Sequence, residues 1–268
     1  MKRHFQPFVF FLVFLFTSTA YGMLQCSFED RTLELSPGER GQLEIEVSNP
    51  DSQPLAVRAY IGDWLRTEAG EQQFHPPGTV ANSAAGQLRL AESLIILGPG
   101  EEGKFKLSAT VPPQQEGSRT AMVFVEAERP PQNESGSAEM QIKFQISLRY
   151  GIKIYLVARG TQQPRSRFLE LSLEPQQAGK LPVTLAVENT GNLHLKYRGQ
   201  LEVRDFTGKV LEVVELPPFS ILPGAKLKLE SQIEPPPVGE YLLLAIVDYG
   251  SKTMAAEAQF MVKGGGDS

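Results

Sequence analysis

Met140-Gln-Ile-Lys-Phe-Gln-Ile-Ser-Leu-Arg-Tyr-Gly-Ile-Lys-Ile-Tyr-Leu156 decides how this chain folds. Every even-numbered position in it is apolar or aromatic, and the odd ones are Gln141, Lys143, Gln145, Ser147, Arg149, Gly151, Lys153 and Tyr155. A period of two is the pattern of a pleated strand with one buried face. In a chain that is 41% hydrophobic, nine consecutive hits arise by chance on the order of once in 10⁴ trials. Fully extended, the row spans roughly 55 Å, where an ordinary strand has about five or six residues. Such a strand outruns a normal sandwich or carries the chain from one domain toward the next.

The flanking sequence follows the same grammar in shorter units. Leu43, Ile45 and Val47 alternate with Gln42, Glu44 and Glu46 until Asn49-Pro-Asp-Ser52 stops the strand. Leu55, Val57, Ala59 and Ile61 begin another, and a Gly-, Pro- and Asn-rich loop is expected between Gly70 and Gly86. Ser93–Leu97, Lys104–Ser108 and Met122–Val125 follow, the first two joined by Gly98-Pro-Gly100. The second half repeats the first. Leu181 to Asn189 mirrors Leu43 to Asn49, ending on the same Val-x-Asn. Ile221-Leu-Pro-Gly224 before Lys226-Leu-Lys-Leu229 mirrors Leu97-Gly-Pro-Gly100 before Lys104-Phe-Lys-Leu107, and Glu240–Val247 stands where Met122–Val125 stood. With 24 Gly and 20 Pro scattered through 268 residues, no dozen-residue window carries a helical period free of both. The expected fold is all-β: two tandem immunoglobulin-like sandwiches at residues 23–160 and 161–263, with 264–268 a disordered tail.

The first 22 residues read as a cleaved secretory signal. Lys2, Arg3 and His4 precede the nine-residue apolar run Phe8–Phe16, too short to span a bilayer, and Ala20-Tyr21-Gly22 supplies small residues before the cut. Loss of Lys2 and Arg3 would leave 24 basic against 31 acidic groups. With no basic stretch after residue 3, nucleic acid is excluded as a partner. Cys26 is the one cysteine, so no intrachain disulfide exists and packing alone must hold the fold. It is read as an unreactive thiol at the ragged start of the exported chain. His75 is placed in a loop, His194 in a turn, and neither has partners at metal-ligand spacing. No nucleophile elbow or phosphate loop occurs. Asp205-Phe-Thr-Gly208 reads as a hairpin turn and Trp64 as core. No enzyme, catalytic residue, metal, cofactor or small-molecule substrate is expected.

Two readings of the long row stand side by side. Its inner face completes the first core, or part of it lies at a sheet edge where a partner's strand can pair. Ser147-Leu-Arg-Tyr-Gly-Ile-Lys-Ile-Tyr155 resembles the last strand of the first domain in PapD-type periplasmic pilus chaperones. Asp30-Arg-Thr32, Val47-Ser-Asn49, Ser118–Phe124 and Val247-Asp-Tyr-Gly250 fall in the same order as that family's motifs. The resemblance implies a periplasmic chaperone that donates a strand to incomplete immunoglobulin-like pilus subunits and grips their terminal carboxylate with two cleft cations. Residue by residue, Lys153 matches the cleft lysine, and Phe144, Ile146 and Leu148 match the donated side chains. The first-strand arginine would fall at Leu33, where it is missing, and Arg31, two residues earlier, is taken as its substitute. Implied partners are secreted pilus-type subunits and, as a second candidate, an outer-membrane usher. The alternative is a structural or adhesive tandem immunoglobulin-like envelope module without chaperone activity.

Overall fold

β-Branched and apolar residues at alternate positions, broken by Gly, Pro and Asn, leave strands as the only regular structure of any length among the described residues. The computed structural model describes residues 24–27, 29–128 and 148–263. The first sandwich holds β1 (Gln25–Cys26), β2 (Arg31–Leu35), β3 (Arg40–Ser48), β4 (Leu55–Arg66), β5 (Gln72–His75), β6 (Leu88–Leu90), β7 (Leu94–Leu97), β8 (Glu102–Thr110), β9 (Ser118–Glu128) and β10 (Leu148–Ala158). One sheet runs β1-β3-β8-β6 and the other β2-β10-β9-β4-β5, with β7 also on β4. The second sandwich holds β11 (Ser166–Leu173), β12 (Leu181–Asn189), β13 (Leu195–Arg204), β14 (Val210–Ile221), β15 (Lys226–Ile233), β16 (Gly239–Tyr249) and β17 (Lys252–Val262), in sheets β11-β12-β15 and β14-β13-β16-β17. The fold is all-β, two immunoglobulin-like sandwiches in tandem.

Each sandwich has its own core. Ile45, Val47, Phe105 and Leu107 from one sheet meet Val57, Val123, Val125, Ile152, Ile154 and Leu156 from the other, all essentially dry. The second core centres on Leu185, Val187, Tyr197, Leu201, Leu243 and Val247.

The echo between the halves is structural. Asn49, fully buried, donates from Nδ2 to the carbonyls of Gln53, Leu97 and Gly98, and its Oδ1 accepts from Asp51 N. Asn189, equally buried, donates to Leu193 and Ile221 and accepts from Gly191 N. Each asparagine therefore ties its own strand end to the turn before the next strand. Gly100 (φ +69°) and Gly224 (φ +74°) close those two turns in the left-handed region, each donating its N–H back to the asparagine carbonyl.

Four strands of the second sandwich, β11, β13, β14 and β17, lie outside the segments expected from the sequence. β14 is obscured by Pro217-Pro218, which sit where its pairing with β13 shifts register at a sheet edge, a place where a strand tolerates proline. The expected loop between Gly70 and Gly86 contains β5, so His75 ends a strand that pairs back onto β4. Cys26 lies in β1, paired with Val47, and burial pushes its thiol up to about 11. It is an ordered, protonated side chain rather than part of a ragged start.

Candidate functional site

β10 assembles the site because its two faces serve different cores. Ile152, Ile154, Leu156 and Ala158 point inward, with Tyr150 half-buried against them. Arg149, Gly151, Lys153 and Tyr155 point outward, over a second, smaller cluster of Trp64, Met122 and Phe124. Arg149 lies over the Phe124 and Phe74 rings, 5.2 and 5.6 Å from their centroids, with Glu126 3.6 Å away. Gly151 admits Met122 beneath the strand, since a Cβ there would come 2.7 Å from the sulfur. Lys153 Nζ stands 5.1 Å from the Trp64 ring centre and 3.9 Å from Asp30 Oδ2. The ammonium is thus held in place by a ring face and one carboxylate.

The edge of β10 changes character along its length. β9 pairs with it from Leu148 to Val157, but on the other side β2 reaches only from Ile154 to Ala158, in parallel register. The β2 ladder therefore covers the far end of β10 and does not extend to Leu148–Lys153. Leu148 is half-buried there; Phe144 and Ile146, the other two residues of the expected donated row, lie outside the described residues.

Arg31 is not brought to Lys153. It pairs with Ile154, and paired residues of neighbouring strands share a face, so Arg31, Leu33 and Leu35 all turn toward the first core. Its Nη1 bonds Glu29 at 3.0 Å and its charge acts on the Cys26 thiol. The outward positions of β2 are Thr32 and Glu34, which offer no cation to the Lys153 face.

Other cations stand there. Arg66 follows Trp64 by two on β4 and so shares its face. The second sandwich brings Lys196 and the ring of His194, which stacks on Tyr155 at 4.1 Å between centroids. Burial first, then Lys196, Lys153 and Arg66, push His194 down to about 4. The seam is tied by Ser118 N to Asn192 O (2.7 Å), His194 N to Ser118 Oγ (2.7 Å) and Asn82 Nδ2 to Pro223 O (2.9 Å). Arg66 and His194 escape a reading of the sequence alone, although the step of two from Trp64 is a signal for Arg66. Trp64 itself is 2% exposed. Among the described residues no three His, Cys, Asp or Glu side chains gather as a metal ion requires.

No protein-family model and no curated protein matches the chain. Solved structures do. The class 5 fimbriae chaperone CfaA superposes with a TM-score of 0.52 at 12% identity, over 88% of this chain and 98% of that one. The fold is that of a fimbrial chaperone. A chain from a chaperone–tip adhesin complex of CFA/I fimbriae biogenesis matches equally, with a TM-score of 0.52 at 11% identity and the same coverage of both chains. The fimbrial-chaperone fold puts both sandwiches in correspondence, and at such identity the likeness is one of fold.

Proposed function

We propose that this chain is a periplasmic assembly chaperone for secreted pilus-type subunits. It would hold an incomplete immunoglobulin-like partner by strand addition along β10. In this reading residues 1–22 direct export, 23–160 and 161–263 are the two working domains, and 264–268 form a tail. The observation that carries it is the long apolar row leading into β10 and up to Lys153, which β2 joins only from Ile154 onward. The fimbrial-chaperone fold supports it, as does the complex with a tip adhesin that one neighbour forms. Backbone pairing along the edge would supply affinity, and Phe144, Ile146 and Leu148 would fill the partner's open core. Three such side chains contribute roughly 5–8 kcal/mol before ordering costs. That is enough for reversible holding without a nucleotide. Lys153 would attract a carboxylate of the subunit, with its grip coming from one residue rather than the expected pair with Arg31.

The test is co-expression of the tagged exported chain with candidate subunits, bound proteins being identified by mass. Wild type should retain a small β-rich secreted protein, Ile146→Asp should release it, and Lys153→Ala should hold it about tenfold more weakly. Retention equal to wild type by both variants would remove the mechanism. A monomer without partner in every lane would favour the tandem structural or adhesive module, for which the position of Arg31, away from Lys153, already speaks.

A further inference from the structure

The sheet β1-β3-β8-β6 packs its inner face against the sheet that holds β10, and its outer face is uneven in charge. At one end the cross-strand partners match. Glu44 stands opposite Lys106 and Glu46 opposite Lys104, whose Nζ lies 2.9 Å from Glu44 and 3.3 Å from Glu46. At the other end the matching stops: Arg40 stands opposite Thr110, and Ser108 is flanked by Gln42 on β3 and Arg89 on β6. Arg40 and Arg89 are exposed, and among the described residues neither guanidinium has an ion pair. Ser108 and Thr110 are short and half-buried, so the middle strand makes a low floor between walls of long side chains. The result is a trough of about 500 Å³ lined by Arg40, Gln42, Arg89, Ser108 and Thr110, with no carboxylate among the described residues of its wall. β3 and β6 flank β8 at roughly 10 Å from each other, so the two arginines can lean over one floor. Like charges facing each other without a counter-charge are unfavourable. The same face supplies carboxylates to Lys104 and none here.

We propose that this trough binds a tetrahedral oxyanion, a phosphate or sulfate group, either free or as the end of a monoester. A guanidinium takes two oxygens side by side. Two guanidiniums on opposite walls therefore call for two pairs of oxygens, which two edges of a tetrahedral group present. A carboxylate or a phosphodiester has one pair of free oxygens and satisfies one wall only. Thr110 Oγ1 and the Gln42 amide are further donors in the same cavity. Ser108 Oγ is already engaged with the Arg89 carbonyl at 3.3 Å, which ties β6 to the floor. The site lies on the opposite sheet of the first sandwich from β10 and stands whether or not the chain is a chaperone.

Calorimetric titration of the exported chain with inorganic phosphate, sulfate, methyl phosphate, dimethyl phosphate and acetate tests it, against chloride at matched ionic strength. One saturable site per chain is expected for phosphate and for sulfate, with dimethyl phosphate and acetate at least about tenfold weaker. Methyl phosphate bound as well as phosphate would mark a monoester end as the natural source, and its rejection the free ion. Arg40→Gln and Arg89→Gln, both at exposed positions, should each weaken phosphate binding by about tenfold. Arg89→Lys keeps the charge but loses the fork, and should restore only part of that loss. Lys226→Gln, exposed on the second sandwich and outside the trough, should leave binding unchanged. No saturable binding of phosphate or sulfate, acetate bound as tightly as either, or equal loss in Lys226→Gln overturns the proposal.

Discussion

The strands that finish the two sandwiches, β10 and β17, differ in the row of side chains each turns toward its core. β17 is paired along its length by β16, and its inward row is Met254, Ala256, Ala258, Phe260 and Val262, none of them fully buried. Two alanines at its centre give an arriving strand little to pack against. The inward row of β10 is Leu148, Tyr150, Ile152, Ile154 and Leu156, large throughout, and β2 covers only its far end. Edges are normally blunted by charge, small size or cover. The second sandwich follows that rule, whereas large side chains line β10 through Leu148–Lys153, upstream of the cover that β2 gives, and the proposed function is placed there.

The comparison breaks most visibly under charge. Leu148→Asp should reduce partner retention by at least about a hundredfold, while Ala256→Asp, in the middle of β17, should leave it unchanged. Equal loss in both, measured in the same pull-down with melting curves confirming the fold, would mean that the edge of β10 is not special. The asparagine ties sharpen the comparison from the opposite side. Asn49→Ala and Asn189→Ala each strand buried carbonyls and should destabilise by about 2–4 kcal/mol in urea unfolding. A large disparity would show that the matching ties are not energetically equivalent.

Gly117→Ala probes the seam rather than either core. Its backbone sits at φ +66°, and an added Cβ would collide with the Asn192 carbonyl oxygen. A loss of about 2–3 kcal/mol is expected, with the thermal transitions of the two sandwiches drawn apart. The smallest effect is a pH dependence. His194 is held at about 4 in the fold and titrates near 6.5 when unfolded, so the unfolded chain binds the proton first. Stability should fall as pH drops from about 6.5 toward 4 and level off below. The loss should be about 1–2 kcal/mol, because the seam can open locally and hydrate the ring before either core unfolds. His194→Phe should flatten that slope in melting curves taken across the same pH range.

Much of this architecture is legible in residue order alone. The two-residue period of Ile152, Ile154 and Leu156, the paired Val-x-Asn stops and the Pro-Gly turns each encode local geometry, and these are the signals that announce β3, β10, β12 and β15. Asp205 does cap its hairpin, accepting from Thr207 and Lys209 N–H groups. What escapes depends on relations between strands. β14 carries two prolines that only a bulge at an edge can accommodate. Spacing alone puts Arg31 on the same face of its strand as Leu33, but only the parallel register with β10 shows that this face is the buried one. Arg66 and Lys196 lie far apart in sequence and meet across a seam whose hydrogen bonds no local pattern announces.

The parallel pairing of β2 with β10 also has the effect of a ruler. A partner strand added beside β10 from Leu148, as proposed, would run into the first residue of β2 at Ile154. Such a berth would be about 20 Å long at ordinary strand rise, and beyond it the hydrogen-bonding positions are taken by β2. A guest would therefore be measured from the end that abuts β2. Lengthening it by one residue at that end would turn every side chain to the wrong face, so the proposed berth would check the phase of its guest as well as its chemistry.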